Sequence, residues 1–372
     1  APAVLMAHQD VVPVEEGTES LWTHPAFSGA IADGAVWGRG TLDDKNCVLG
    51  ILEAAESALE AGLTPKRTVY LAFGHDEEIG GKGATAIAER LAGQGVRPGF
   101  VLDEGLAVVN GLVPGVSAPV AMVGIAEKGY ATLRLSADGV GGHSSMPPEN
   151  TAVGILARAI ARLEADPFPA RIVGPAREFL EFVGPEASFG YRTAFTNLWL
   201  FEPVLARVFA GSPSTAALIR TTTAATMFSG SPKDNVLPQR ASAAINFRIL
   251  TGETTETVKS RVREVIDDPR VELAFDTFAS DPSPVSDVTG GGFLLLQATL
   301  QEVYPGAIVA PSLVLAATDS RHFSAISDQV FRFSPFNYHE AVGDQIHGTD
   351  EHIPIDDYLS GIRFYRRLIE HL

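Results

Sequence analysis

The chain has 372 residues, 28 Lys and Arg against 45 Asp and Glu (net charge −17 at pH 7), and 45% hydrophobic residues. That length suits roughly two or three domains, and the composition excludes a disordered chain. The acidity argues against a nucleic-acid groove or a face for an anionic membrane, and the single cysteine, Cys47, excludes an internal disulfide and a cysteine-based zinc site.

In chain order, Ala3–Ala7 predicts a buried strand and Lys45–Ala61 a helix, with Val48, Leu49, Leu52, Ala55 and Leu59 near helical spacing. A strand over Thr68–Phe73, a helix over Gly83–Leu91 and a short strand over Phe100–Leu102 follow. Such alternation predicts parallel βαβ units. From Glu127 the texture changes. Tyr130–Ala137 and Arg240–Leu250 alternate as half-exposed strands, Asn150–Glu164 and Thr254–Ile266 read as helices, and Val271–Phe278 closes the set. This predicts a small α+β domain inserted into the first, dividing the chain into 1–126, 127–284 (the insertion) and 285–372. Within the insertion, Asp166–Ala210 holds nine of the chain's 30 aromatic residues, an excess that needs a dimer core or a pocket for an apolar ligand part. The apolar run Leu198–Ala210, interrupted by Glu202, Pro203 and Arg207, is shorter than the ~18 residues of a membrane span and predicts a buried helix. After Gly290 a helix, a strand near Leu313 and a helix from Asp356 return to the first texture.

Chemistry-bearing residues follow each early strand: His8-Gln9-Asp10, then His75-Asp76-Glu77-Glu78, then Asp103-Glu104. Parallel sheets bind ligands at the carboxyl ends of their strands. Asp43-Asp44-Lys45 stands before a helix, after the turn Trp37-Gly38-Arg39-Gly40. Oxygen and imidazole donors of this kind suit catalytic zinc, and of two adjacent glutamates one can bind metal while the other moves protons. Taken singly, each has a plain reading: a strand-end histidine, a solvated acidic pair, a helix cap at Asp43, a turn residue at Asp103. Their coincidence at every strand end favours a metal site. No phosphate loop or nucleophile elbow is present. Acidic residues before Gly81-x-Gly83-x-x-Ala86 would repel a pyrophosphate, and Cys47 reads as a buried, inert thiol.

The runs AHQDVVP, WGRGTLDDKN, FGHDEEIGG, VLDEG, GGHSSMPP, DNVLPQ, NFR, TDSRHF and IHGTDE span nearly the whole chain. In them the sequence resembles the co-catalytic zinc peptidases of family M20, nearest the branch of vacuolar carboxypeptidase S and the N-fatty-acyl amino acid synthase/hydrolases. The resemblance implies an α/β catalytic domain with a mixed, mostly parallel sheet of the zinc-peptidase, phosphorylase/hydrolase-like type. It also implies that the inserted domain is a ferredoxin-like lid through which the protein forms a homodimer. It implies two Zn2+ per chain, one held by His8 and Asp103, the other by Glu78 and His347, with Asp43 bridging and a cis Asp43–Asp44 bond. Asp10 would hydrogen-bond His8 and Glu77 would be the general base. His143, reaching across the dimer, would donate to the oxyanion. Asn235, Arg248 and Arg321 would grip the substrate, whose free carboxylate suits a guanidinium fork.

The expected activity is cleavage of the amide bond of an N-acyl amino acid, a small-molecule substrate, by a path that also runs backwards. Carboxypeptidase or dipeptidase action on short peptides is the alternative, and a metal-free binding or scaffold protein the alternative of another class. No nucleic-acid partner and no membrane span are expected. Family members carry a segment before the first ligand strand, whereas seven residues precede His8 here. The start therefore reads as truncated, which leaves export open and the compartment unassigned.

Overall fold

In the computed structural model, which describes residues 1–338 and 340–372, strand β1 (Ala3–His8) is buried at every position. Helix α1 (Lys45–Glu60), β2 (Val69–Gly74), α2 (Lys82–Gly93), β3 (Phe100–Val109) and β4 (Val120–Glu127) follow. The lid opens with β5 (Gly129–Asp138) and α3 (Ala152–Ala165). An insert of α4 (Pro175–Val183), α5 (Phe189–Phe195), α6 (Leu198–Phe209) and α7 (Pro213–Ile219) comes next. The lid resumes with β6 (Thr222–Ser229), β7 (Arg240–Ile249), α8 (Thr255–Ile266) and β8 (Val271–Ser280). Helix α9 (Gly291–Val303), β9 (Ile308–Val314), β10 (Val330–Tyr338) and α10 (Ile355–His371) end the chain.

The main sheet has the order β9-β4-β10-β3-β1-β2. The β1–β2, β1–β3, β3–β10 and β4–β9 pairs are parallel, and β4 runs against β10 and β3. The expected α/β class with a mixed, mostly parallel sheet is present. The two-residue period of β1 divides its side chains. Ala3, Leu5 and Ala7 join Ile51, Phe293 and Phe364 under α1, α9 and α10, while Val4 and Met6 join Ala84, Ala88 and Leu91 of α2. Covered on both faces, such a strand reads as an unbroken apolar run.

The lid sheet is antiparallel, in the order β8-β5-β7-β6. Its core of Leu133, Leu135, Ile155, Leu156, Ile245, Val258 and Val262 lies against α3 and α8. Thr151 caps α3, and Thr254 with Thr257 forms a capping box at α8.

Two expectations need correction. Strand β3 does not stop at Leu102. It continues to Val109, past the sheet's carboxyl edge, and pairs with the start of β4 (Val108↔Ala121, Val109↔Val120). The aromatic-rich insert packs on the main sheet. Leu180, Val183, Phe195, Leu198 and Leu205 share one cluster with Val109, Val120 and Ala310 of the catalytic sheet, because edge strand β9 needs an apolar cover. The helix expected over Leu198–Ala210 forms but is not buried. Leu198 and Leu205 face inward, whereas Trp199 is 79% exposed and Leu200, Val204 and Val208 also face outward.

Candidate active site

Strands β1 and β2 end at one edge of the sheet, where β3, which runs on, carries Asp103 and Glu104. His8 ends β1 and is buried. Its Nε2 lies 2.8 Å from Asp43 Oδ1 and 3.5 Å from Glu104 Oε1. Its Nδ1 faces Asp10, 3.0 Å from the carbonyl oxygen and 3.4 Å from the carboxylate. That contact fixes which ring nitrogen is left for the cluster. The Asp10 carboxylate also accepts the backbone N–H groups of Glu77 and Glu78, at 3.2 and 3.1 Å. One side chain thus orients a histidine and holds the turn that bears both glutamates.

Asp43 sits at the centre, joined to Asp44 by a cis peptide bond. Its second oxygen, Oδ2, lies 3.0 Å from His347 Nε2, which in turn is 3.3 Å from Glu78 Oε1. Two donor groups result, His8/Asp43/Glu104 and Asp43/Glu78/His347, each with its donor atoms within 4.8 Å of one another. A buried pair that sequence reasoning overlooked holds Asp43 and His347 together. Arg39 donates to Glu351 at 2.6 Å and to the carbonyls of His347 and Gly348 at 3.1 and 2.8 Å. Glu351 Oε1 accepts the N–H groups of Leu42 and Asp43. Both residues lie in runs quoted above, WGRG and IHGTDE; the signal was a charge inside a turn motif.

Asp103, expected as a ligand of the His8 lobe, is not in the cluster; Glu104 takes that place. The cause is a β-bulge. Arg332 of β10 pairs with Asp103, and the next residue, Phe333, pairs with Leu106, so Glu104 and Gly105 are extra residues on β3. A bulge re-aims side chains. Gly105 is needed there, since a Cβ on it would come within 2.6 Å of Arg332 Cβ. Asp103 turns the other way and accepts the N–H of Ser320 at 2.7 Å, anchoring the 3-10 segment Asp319–Ala325 that carries Arg321. That segment has a second anchor in the buried Glu127–Arg332 pair (2.8 Å), because Glu127 also accepts the N–H of Thr318.

The electrostatics describe a place where negative charge crowds. Burial, and then Glu104, Asp319 and Asp103, push Glu77 up to about 9. Burial and Asp43 push Glu104 up to about 8. Burial opposes ionisation of Asp43 too, yet hydrogen bonds from His347 and His8 hold it well below the usual range. Burial would lower His8, but Asp43 and Glu104 raise it far above an ordinary imidazole. Cations among these groups would favour the ionised carboxylates. The donor set fits a divalent metal. It combines imidazole nitrogens with carboxylate oxygens, and among the described residues the buried Glu78 Oε1 accepts no hydrogen bond.

The remaining expected residues lie apart from this cluster. His143 and Asn235 are exposed neighbours at a short antiparallel strand pair in the lid (His143↔Val236), where Ser144 N–H donates to the Asn235 carbonyl. The His143 ring accepts the N–H of Ser145 at Nδ1, 3.1 Å away. Arg248 lies over Tyr130, Tyr130 leans on Phe278, and Arg321 lies over Phe278. Arg321 also donates to the carbonyl of Gly80, beside the glutamate turn. The two arginines thus bracket an aromatic pair where lid meets catalytic domain. Cys47 is buried, as expected.

Comparison with known proteins agrees with this geometry. The profile described as peptidase family M20/M25/M40 matches residues 4–371. The chain is 44% identical to a probable carboxypeptidase S-like 2 of Dictyostelium discoideum, covering 100% of this chain and 71% of that protein. It is 45% identical to the N-fatty-acyl-amino acid synthase/hydrolase PM20D1 of Xenopus tropicalis, covering 100% of this chain and 72% of that one. Among solved structures, the M20 family metallo-carboxypeptidase Sso-CP2 from Sulfolobus solfataricus superposes with a TM-score of 0.73 at 18% identity, over 99% of this chain and 84% of its own.

Proposed function

The chain belongs to peptidase family M20/M25/M40 and is a metal-dependent amide hydrolase, and from that premise we propose that it uses two zinc ions to cleave N-acyl amino acids to a carboxylate and a free amino acid. The observation that carries this is Asp43, whose two oxygens face separate imidazoles at 2.8 and 3.0 Å. His8, Asp43 and Glu104 would hold one ion, and Asp43, Glu78 and His347 the other. When bound, the metal supplies Lewis-acid chemistry, polarising the amide carbonyl and acidifying water.

The chain's own residues do the rest. Glu77, held by Asp10 through the backbone of its turn, takes the proton of the attacking water and passes it to the leaving nitrogen. Arg321, with Arg248 and Asn235 from the lid, binds the free carboxylate. His143 donates to the developing oxyanion of the neighbouring subunit's site. Its exposure and its ring's contact with its own loop, at Ser145, are in keeping with that role. So is the lid's edge strand β6, exposed from Ala224 to Ser229 with Met227 and Phe228 uncovered, a surface suited to pairing with a second copy.

The name of the Xenopus relative supports an N-acyl substrate. That of the Dictyostelium relative supports the second reading, carboxypeptidase action on short peptides. Amino-acid release by the zinc-loaded protein from a long-chain N-acyl phenylalanine and from an unblocked dipeptide separates them. Much faster cleavage of the acyl compound is the expected result. Preference for the dipeptide would establish the peptidase reading. A folded protein that takes up no zinc would overturn both.

A further inference from the structure

Under the insert lies a cavity of about 460 Å³ with mostly apolar walls. Core packing leaves few voids larger than a water molecule, whereas this volume falls in the range of ligand sites. Water inside it would find few polar partners. Its wall includes Gly105, next to Glu104, and Ile346, next to His347. Those two ligands belong to different donor groups, so the cavity wall lies one residue along the chain from a ligand of each lobe. From there it follows the overhanging end of β3. Gly105 to Val109 spans about 13 Å of extended chain, and Val113, in the loop beyond, also lines the cavity. Phe179 of α4 and Leu218 of α7 close it from the insert side. The carboxylate-binding Arg321 stands elsewhere, at the lid's Phe278.

We infer that this cavity holds the hydrocarbon chain of the substrate's acyl group, with the scissile amide at the cluster and the chain end near Val113. The inference rests on the amidohydrolase reading and adds where a long unbranched chain lies and which residues limit its length. The overhang of β3 and the insert have a common result: together they enclose this space beside the site.

The test uses the zinc-loaded, full chain and N-acyl phenylalanines from acetyl to octadecanoyl. The specificity constant kcat/KM is expected to rise up to about fourfold per added methylene, then level off when the cavity is full. Val113→Trp should move the levelling-off to shorter chains and leave N-acetyl-phenylalanine turnover within about twofold. Phe179→Ala should move it to longer chains and serves if the Trp variant does not fold. A flat chain-length profile with normal acetyl turnover overturns the cavity assignment and leaves the amidohydrolase reading standing, as does an equal loss on short and long chains in Val113→Trp. If no acyl substrate is cleaved, the activity reading falls, and calorimetric binding of dodecanoic acid decides the cavity by itself. Binding weakened at least tenfold by Val113→Trp supports it, and absence of binding overturns it.

Discussion

Glu77 and Glu78 stand side by side on one turn held by Asp10. Glu78 directs an oxygen at His347, 3.3 Å away. Glu77 belongs to neither donor group and feels chiefly its own burial and the charge of Glu104. One residue is placed to hold metal and the other to carry a proton. Glu77→Gln should therefore lower turnover by about a hundredfold or more while zinc per chain, measured by elemental mass spectrometry, stays unchanged. Loss of zinc from that variant would make Glu77 a ligand instead. At this scale the site was largely legible. His8, Asp43, Glu78 and His347, named from their motifs, stand together in two donor groups; His8 ends a strand and Glu78 lies in the turn after one, positions that the strand–helix alternation already marks.

The bulge in β3 acts at the scale of the element. Alternation along a strand tells which residues share a face, but an extra residue changes that count, and pairing register depends on the neighbouring strand. The sequence reading takes Asp103 as the ligand, and nothing in the run Asp103-Glu104 marks the extra residues that re-aim the pair. In the fold one anchors the Arg321 segment and the other joins His8. Glu104→Gln is expected to reduce bound zinc at the His8 lobe, whereas Asp103→Asn should keep both ions and raise KM through a looser Arg321. Equilibrium dialysis against zinc with parallel kinetics distinguishes them. Zinc lost from Asp103→Asn and retained in Glu104→Gln would restore Asp103 as the ligand.

At the scale of the whole molecule the proposed site is completed by two copies. His143 and Glu77 would serve the same reaction from different chains, so a mixture of His143→Ala and Glu77→Ala subunits, each inactive alone, should regain about a quarter of wild-type activity after random re-pairing. No recovery, with dimers confirmed by light scattering, would place His143 outside the reaction. The sheet's class was readable from strand–helix alternation. The destination of the insert was not, because its aromatic residues state that apolar surface must be covered without stating which surface. Here it is edge strand β9 and the overhang of β3.

The route of the chain also limits how the lid can swing. A lid carried on two adjacent strands turns like a door on one pin, and the entry and exit here do run together, with Tyr130 paired to Ser280. The insert adds a stay to that door. It leaves the lid after α3 and returns before β6, its ends joined by the bond from Arg171 N–H to the Ile219 carbonyl. Lys128, at the pin itself, donates to the carbonyls of Ala217 and Arg220 at 2.8 and 2.7 Å. Since α4 to α7 are bedded on the catalytic sheet, the door opens only as far as the stay allows, and wider opening carries a wall of the cavity with it.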